Sequence, residues 1–175
     1  LALVFGWPSA SGWTVDQPLL RLGSVRESRI WLKQGVHPDG YASRTRFDVL
    51  WKGFFRGGGR HPISLLSAMP ATGRMHQIRV HASWSGHPLV GDKIYGAEER
   101  CYLDFIETGW SEALEERLLM PRHALHAWRL GVAESGDVWE CPVPRDIMEA
   151  MAEGEWVVGQ RSATVEGSFS GRGVG

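Results

Sequence analysis

The sequence predicts an α+β domain built on a mixed, largely antiparallel sheet with a few helices. Three observations carry this expectation. The 175 residues amount to one domain, with hydrophobic residues at 43% and charged residues at 22%, enough apolar material for one packed core. Strand-like segments outnumber helical ones. Most successive strands are separated by short turns, whereas helical patterns occur singly, and that combination favours antiparallel pairing.

Leu1–Phe5 is a short apolar run closed by Gly6 and Pro8, as expected of a buried strand and its turn. Ser28–Lys33 reads as another strand. Thr45–Lys52 sets Phe47, Val49 and Trp51 against Asp48, Leu50 and Lys52, the period-two pattern of a strand with one face buried. Ile63, Leu65, Ser67 and Met69 repeat the pattern until Pro70 and the turn Ala71-Thr72-Gly73 stop it. Arg74–Trp84 contains neither Gly nor Pro and predicts a helix, ended by Gly86-His87-Pro88 because Gly accepts the left-handed cap and Pro cannot extend the ladder. A loop through Gly91 and Gly96 follows. Ser111 is placed to cap a helix over Glu112–Met120, Ala124–Val132 and Val138–Val143 read as strands, and Pro144 opens a last helix to about Ala152. Val158–Gly175, rich in Gly and Ser and without periodicity, reads as a disordered tail.

Composition excludes several classes of function. No apolar run approaches the ~18 residues of a membrane span, so no membrane partner is expected. A net charge of −1 excludes a globally basic, histone-like nucleic-acid binder. The charge is uneven, however. Residues 21–60 hold nine Arg/Lys against three acids, a local +6, whereas residues 101–175 hold six Arg against thirteen acids, a local −7. The basic segment ends in Arg56-Gly57-Gly58-Gly59-Arg60, which suits phosphate contact and equally suits a solvated loop. Cys101 and Cys141 stand alone without C-x-x-C spacing, so no disulfide framework is expected. Without a basic leader, Leu1–Gly6 reads as strand interior instead of a targeting segment, and the chain is expected to be a piece of a longer, cytoplasmic, monomeric protein.

The densest run of polar chemistry is Pro70-Ala71-Thr72-Gly73-Arg74-Met75-His76-Gln77-Ile78-Arg79-Val80-His81, followed five residues on by His87-Pro88-Leu89-Val90-Gly91-Asp92 and then Tyr95-Gly96. Arg74 falls in the first turn of the expected helix, where backbone N–H groups favour an anion. Arg79 lies between apolar Ile78 and Val80, so burial of that segment obliges it to find an anionic partner. His76 and His81 are five apart, off the i, i+4 spacing of paired helical ligands, and no neighbouring Cys or H-E-x-x-H supports zinc. No metal is expected. Of nine tryptophans, most are expected in the core, and Trp84 beside the motif is a candidate for stacking on a base.

This segment resembles motif III of the RluA-type RNA pseudouridine synthases, T-G-R-T-H-Q-I-R-V-H with H-P-L-V-G-D after five residues, and only Met75 departs from it. Arg122-His123-Ala124-Leu125-His126-Ala127 and Pro142-Val143-Pro144-Arg145-Asp146 resemble the family's R-x-x-L-H-A strand and P-x-P-x-D turn. Ala42 and Thr45 fit its A-x-T element, and Leu1–Gly6 fits the run after its motif II tyrosine.

The resemblance implies a pseudouridine synthase-like fold lacking its N-terminal part. Residues 1–155 would be the C-terminal part of the catalytic domain and 156–175 a tail. It implies isomerisation of uridine to pseudouridine in structured ribosomal or transfer RNA, without metal or organic cofactor. Arg79 matches the family arginine that pairs with the essential aspartate, and Arg74, His76, Gln77, His81 and Leu89 match positions at the RNA or uracil site. That aspartate, in an H-R-L-D element, and the motif II tyrosine are absent from this sequence, so the chain alone is expected to be inactive and, lacking its upstream strands, marginal or aggregating. Asp92 and Asp146 belong to other family elements and are not expected to act as nucleophiles. The alternative is a non-catalytic RNA-binding domain of the same fold, and an N-terminal S4-like domain is a possible determinant of target choice.

Overall fold

The computed structural model of the chain describes residues 1–57, 59–96, 98 and 100–157. Its centre is a five-stranded antiparallel sheet of β1 (Ala2–Phe5), β2 (Gly12–Asp16), β5 (Arg44–Phe55), β6 (Pro62–Pro70) and β9 (Met151–Trp156). Two short hairpins lie outside it: β3 (Leu19–Arg21) with β4 (Gln34–Val36), and β7 (Arg129–Gly131) with β8 (Val138–Glu140). The helices are α1 (Gln77–Trp84), α2 (Arg100–Thr108), α3 (Glu112–Leu118) and α4 (Arg145–Ala150). The α+β, largely antiparallel class expected from the sequence is the one observed.

β5 organises the sheet. One side pairs with β6, from Thr45 opposite Pro70 to Phe54 opposite Pro62. The other side is shared end to end, β2 taking Arg44 to Asp48 and β9 taking Trp51 to Phe55. The register slips between Val49 and Trp51, and this bulge breaks the simple alternation read from the sequence. Phe47 and Val49 face one core with Ala2, Val4, Leu66, Ala82 and Leu89. Leu50 and Trp51 both enter the other, with Leu3, Ile63, Leu65, Val90 and Ile147. Both faces of the sheet are therefore covered, α1 packing on the first and α4 with the 118–124 segment on the second.

Several expected elements take other forms. Ser28–Lys33 is turns and bends, not a strand, anchored by buried Ile30 within the long connection from β3 to β4. The expected strand Ala124–Val132 contracts to β7, because Ala124–His126 instead runs along β1, and Val138–Val143 contracts to β8. The last helix stops at Ala150, and the chain passes directly into β9. β2, β3, β4, α2 and β9 are elements that the pattern reading did not separate. The tail expected over 156–175 has Trp156 as the last residue of β9, and 158–175 lies outside the described residues.

The outer edge of β1 is closed. Leu3 N–H donates to the Ala124 carbonyl, Val90 N–H to Leu3, Phe5 N–H to Pro88 and His126 N–H to Leu1, so segments 88–90 and 124–126 replace a neighbouring strand. These contacts fix the loop after α1 against the sheet. Among the described residues, no helix is long and apolar enough to cross a membrane.

Candidate functional site

The helix predicted from Arg74 begins three residues later, and the reason lies in Gln77. Its buried amide oxygen accepts from the Thr72 hydroxyl (2.7 Å) and the Arg74 N–H (3.0 Å), while its Nε2 donates to the Arg44 carbonyl and to Thr45 Oγ1. The Thr72-Gly73-Arg74 turn thus wraps around a side chain that also clamps β5. His76 caps α1 in a left-handed conformation, φ +58°. His81 is enclosed too: Nε2 donates to the Gln17 carbonyl (3.0 Å), which leaves Nδ1 to accept from the Thr45 hydroxyl (2.9 Å).

The residues expected at the site differ in burial. Gln77 and His81, expected at the RNA, are interior groups whose polar atoms are engaged within the protein, and their burial leaves them to position α1. Leu89, expected to line the uracil pocket, is buried as the residue bridged to Val4 of β1. Arg74 and His76 remain accessible at the end of α1, Arg74 exposed with its guanidinium 5.4 Å from the Tyr41 ring centre.

Arg79 has the anionic partner that its surroundings demand. Nε donates to Asp92 Oδ2 (2.7 Å) and Nη2 to Oδ1 (2.8 Å), a bidentate pair with the Arg79 side chain 11% exposed and Asp92 fully buried. Asp92 Oδ1 also accepts from the N–H groups of Ile94 and Tyr95. Burial opposes the Asp92 charge, and the Arg79 bonds outweigh it with help from these two N–H groups, holding its carboxyl below the usual range. Enclosed and four times hydrogen-bonded, Asp92 is a structural anion and not an attacking group. Arg79 Nη1 makes no hydrogen bond among the described residues.

Tyr95 closes the cluster. Its ring centre lies 4.9 Å from the Arg79 guanidinium carbon, and its hydroxyl accepts from Gln34 N–H (2.8 Å) and shares a hydrogen bond with His76 Nδ1 (2.8 Å). Burial pushes its phenol up to about 12. Burial first, and the charge of Arg79 second, lower the pKa of both His76 and His123, so both imidazoles are neutral at pH 7 beside a fixed cation. The site is thus a buried arginine held rigid from one side, with neutral hydrogen-bonding groups at its rim. It can orient a second carboxylate brought to Nη1 or bind an anionic portion of a ligand.

Two further motif segments meet elsewhere. Arg122 Nε and Nη2 bind the two Asp146 oxygens at 2.7 and 2.6 Å, tying the R-x-x-L-H-A segment to the start of α4. Tyr95 stands at the end of the polar run and has no role among the sequence-based expectations; its place three residues after Asp92, where a carboxylate can accept a backbone N–H, is the signal for one. Among the described residues, no three His, Cys, Asp or Glu side chains are grouped to hold a metal ion.

Comparison with known proteins gives relatives of one kind. No family model matches the chain. Ribosomal large subunit pseudouridine synthase D of Nitrosomonas europaea is 36% identical over 151 residues, covering 84% of this chain and 38% of the relative. The protein of that name from Escherichia coli K12 is 36% identical over 153 residues, 85% of this chain and 41% of the relative. RNA pseudouridine synthase 2, chloroplastic, of Arabidopsis thaliana is 32% identical over 160 residues, with coverages of 85% and 36%. The chain therefore spans about two-fifths of the length of these curated relatives. Among solved structures, human RNA pseudouridylate synthase domain containing 1 superposes with a TM-score of 0.65 at 24% identity, covering 97% of this chain and 64% of that one, which shows the fold.

Proposed function

Since the chain belongs to the RluA-type RNA pseudouridine synthase family, we propose that it is the C-terminal part of such an enzyme's catalytic domain, acting on uridine in ribosomal or transfer RNA. The observation that carries this reading is Arg79: a nearly buried guanidinium locked by Asp92, with Nη1 uncommitted. In the proposed reaction the N1–C1′ bond of uridine breaks, a C5–C1′ bond forms, the C5 proton leaves and N1 gains one. Nothing is oxidised or reduced, so the step needs no redox cofactor.

In this reading the essential aspartate comes from the segment preceding Leu1 in the complete protein and approaches Arg79 from the side opposite Asp92. Arg79 keeps that carboxylate ionised and aims it at the sugar and base. Asp92 fixes Arg79, and Tyr95 with His76 fixes the rim. Arg74 contacts phosphate of the flipped-out nucleotide's strand. The 175-residue chain alone lacks the attacking group and is inactive; the complete protein works in the cytoplasm as a monomer.

The test uses the gene extended upstream to its start. The purified protein is incubated with total ribosomal and transfer RNA, and pseudouridine is mapped by carbodiimide-dependent reverse-transcriptase stops. New stops are expected, and they disappear in Arg79→Lys and Arg79→Ala variants whose circular dichroism matches wild type. An extended protein that folds and binds RNA without new stops would leave a non-catalytic RNA-binding domain as the better reading.

A further inference from the structure

Of the fourteen arginines among the described residues, eight pair with a carboxylate, Arg100 with Asp104 and Arg129 with Glu140 among them. Arg44 pairs with Asp16, Arg46 with Asp48, Arg79 with Asp92, Arg117 with Glu98, Arg122 with Asp146 and Arg145 with Glu149. Arg21, Arg26, Arg29, Arg56, Arg60 and Arg74 have none among the described residues; Arg26, Arg29 and Arg74 are exposed, and Arg21 and Arg74 each lie against an aromatic ring. Glu27 is the one acid between residues 21 and 33.

Two of these arginines lie against exposed aromatic rings. Trp31 is 66% exposed with the Arg21 guanidinium carbon 4.1 Å from its ring centre, and Tyr41 is 70% exposed beside Arg74. Gln34, opposite Arg21 in the β3–β4 hairpin, reaches the exposed Met75 through Nε2 (3.5 Å to Sδ). Its backbone N–H holds the Tyr95 hydroxyl that meets His76. Contacts therefore run unbroken from Trp31 through Arg21 and Gln34 to the rim of the Arg79 site. Trp84, the stacking candidate from sequence, sits at the other end of α1, 60% exposed, with no cation against its ring among the described residues.

We propose that Trp31 and Tyr41, with Arg21, Arg26, Arg29 and Arg74, form a stacking platform for single-stranded RNA flanking the nucleotide at the Arg79 site. The proposal rests on the functional reading above and adds to it the contact surface and the strand state. Charge complementarity selects a polyanion, since these cations are uncompensated within the protein. The aromatic faces select unpaired bases, because a duplex hides base faces in its stack. Aromatic rings each with an arginine alongside match the alternation of bases and phosphates along a strand.

Fluorescence anisotropy of the full chain with a 5′-fluorescein-labelled single-stranded 12-nucleotide RNA tests this, with the same strand annealed to its complement for comparison. Trp31→Ala and Tyr41→Ala are each expected to weaken single-strand binding about tenfold, the usual loss for one stacked base. Trp31→Phe restores most of it, and Trp84→Ala binds as wild type. Arg26→Gln with Arg29→Gln lowers the slope of log affinity against log salt by about 1.4, as two fewer phosphate contacts on a single strand require. Aromatic variants that bind like wild type, or a preference for the annealed RNA, would overturn the platform. If the extended wild-type protein makes pseudouridine while its Trp31→Ala form binds and modifies RNA equally well, the platform fails and the isomerase reading stands. If no pseudouridine forms yet Trp31→Ala still weakens binding about tenfold, the platform stands and the isomerase reading fails.

Discussion

Asp92 shows how one residue sets a site without entering its chemistry. Its charge is tolerated in the interior only because Arg79 and two backbone N–H groups meet it, so removing the charge leaves a buried guanidinium uncompensated. Asp92→Asn is expected to cost about 3–5 kcal/mol in urea unfolding, and Arg79→Met with Asp92→Leu to recover most of that loss. Acid sensitivity follows from the imidazoles. Burial lowers the pKa of His76, His81 and His123, so the folded state holds fewer protons than the unfolded chain. Their contribution is intact above the ordinary value of 6.5 and fades as pH falls below it; that of Asp92 is intact above its ordinary 3.8 and is lost as pH falls lower still. The melting temperature should therefore drop in two stages on acidification, and His123→Gln should shrink the first stage, measured from pH 7 to 5. That Arg79 needs an anion was legible in the sequence from its apolar neighbours. Which anion was not, because Asp92 reaches it only after α1 ends and the chain turns back at Gly91.

Period and punctuation revealed β1 as a closed apolar run, β5 and β6 from their alternating stretches, and α3 from its local cap: Ser111 accepts from Leu114 N–H as its position suggests. They did not reveal β9, since Met151–Trp156 contains Glu153, Gly154 and Glu155 and is a strand only because β5 offers it an edge. The helix boundary at Gln77 was equally hidden, being set by that side chain's bonds to Thr72 and Arg74. Gly91 is the tightest joint between elements: φ is +75°, and a Cβ there would stand 1.9 Å from the Arg122 carbonyl oxygen. Gly91→Ala is expected to abolish the native fold by near-UV circular dichroism, because both backbone strain and a backbone clash oppose it. Gly73→Ala, with open space at its Cβ, should change stability by no more than about 0.5 kcal/mol in the same measurement.

At the scale of the whole molecule, the exposed liability is an apolar groove beside the sheet. Segments 88–90 and 124–126 close β1, whereas a groove of about 720 Å³ stays open between Leu1, Leu50, Met69, Ile78, Leu125 and Trp128. The 175-residue chain is expected to bind 8-anilinonaphthalene-1-sulfonate while folded and to aggregate on warming, with Met69→Glu reducing both. A sharp, reversible melt without dye binding would contradict this. The end-to-end sharing of β5 also has a consequence for biosynthesis. Trp51–Phe55 waits for a partner that lies at Met151–Trp156, roughly 100 residues later. At ~5–20 residues per second on the ribosome, one edge of that half of the central strand stays unpaired for roughly 5–20 s, a window in which it is open to wrong strand pairing.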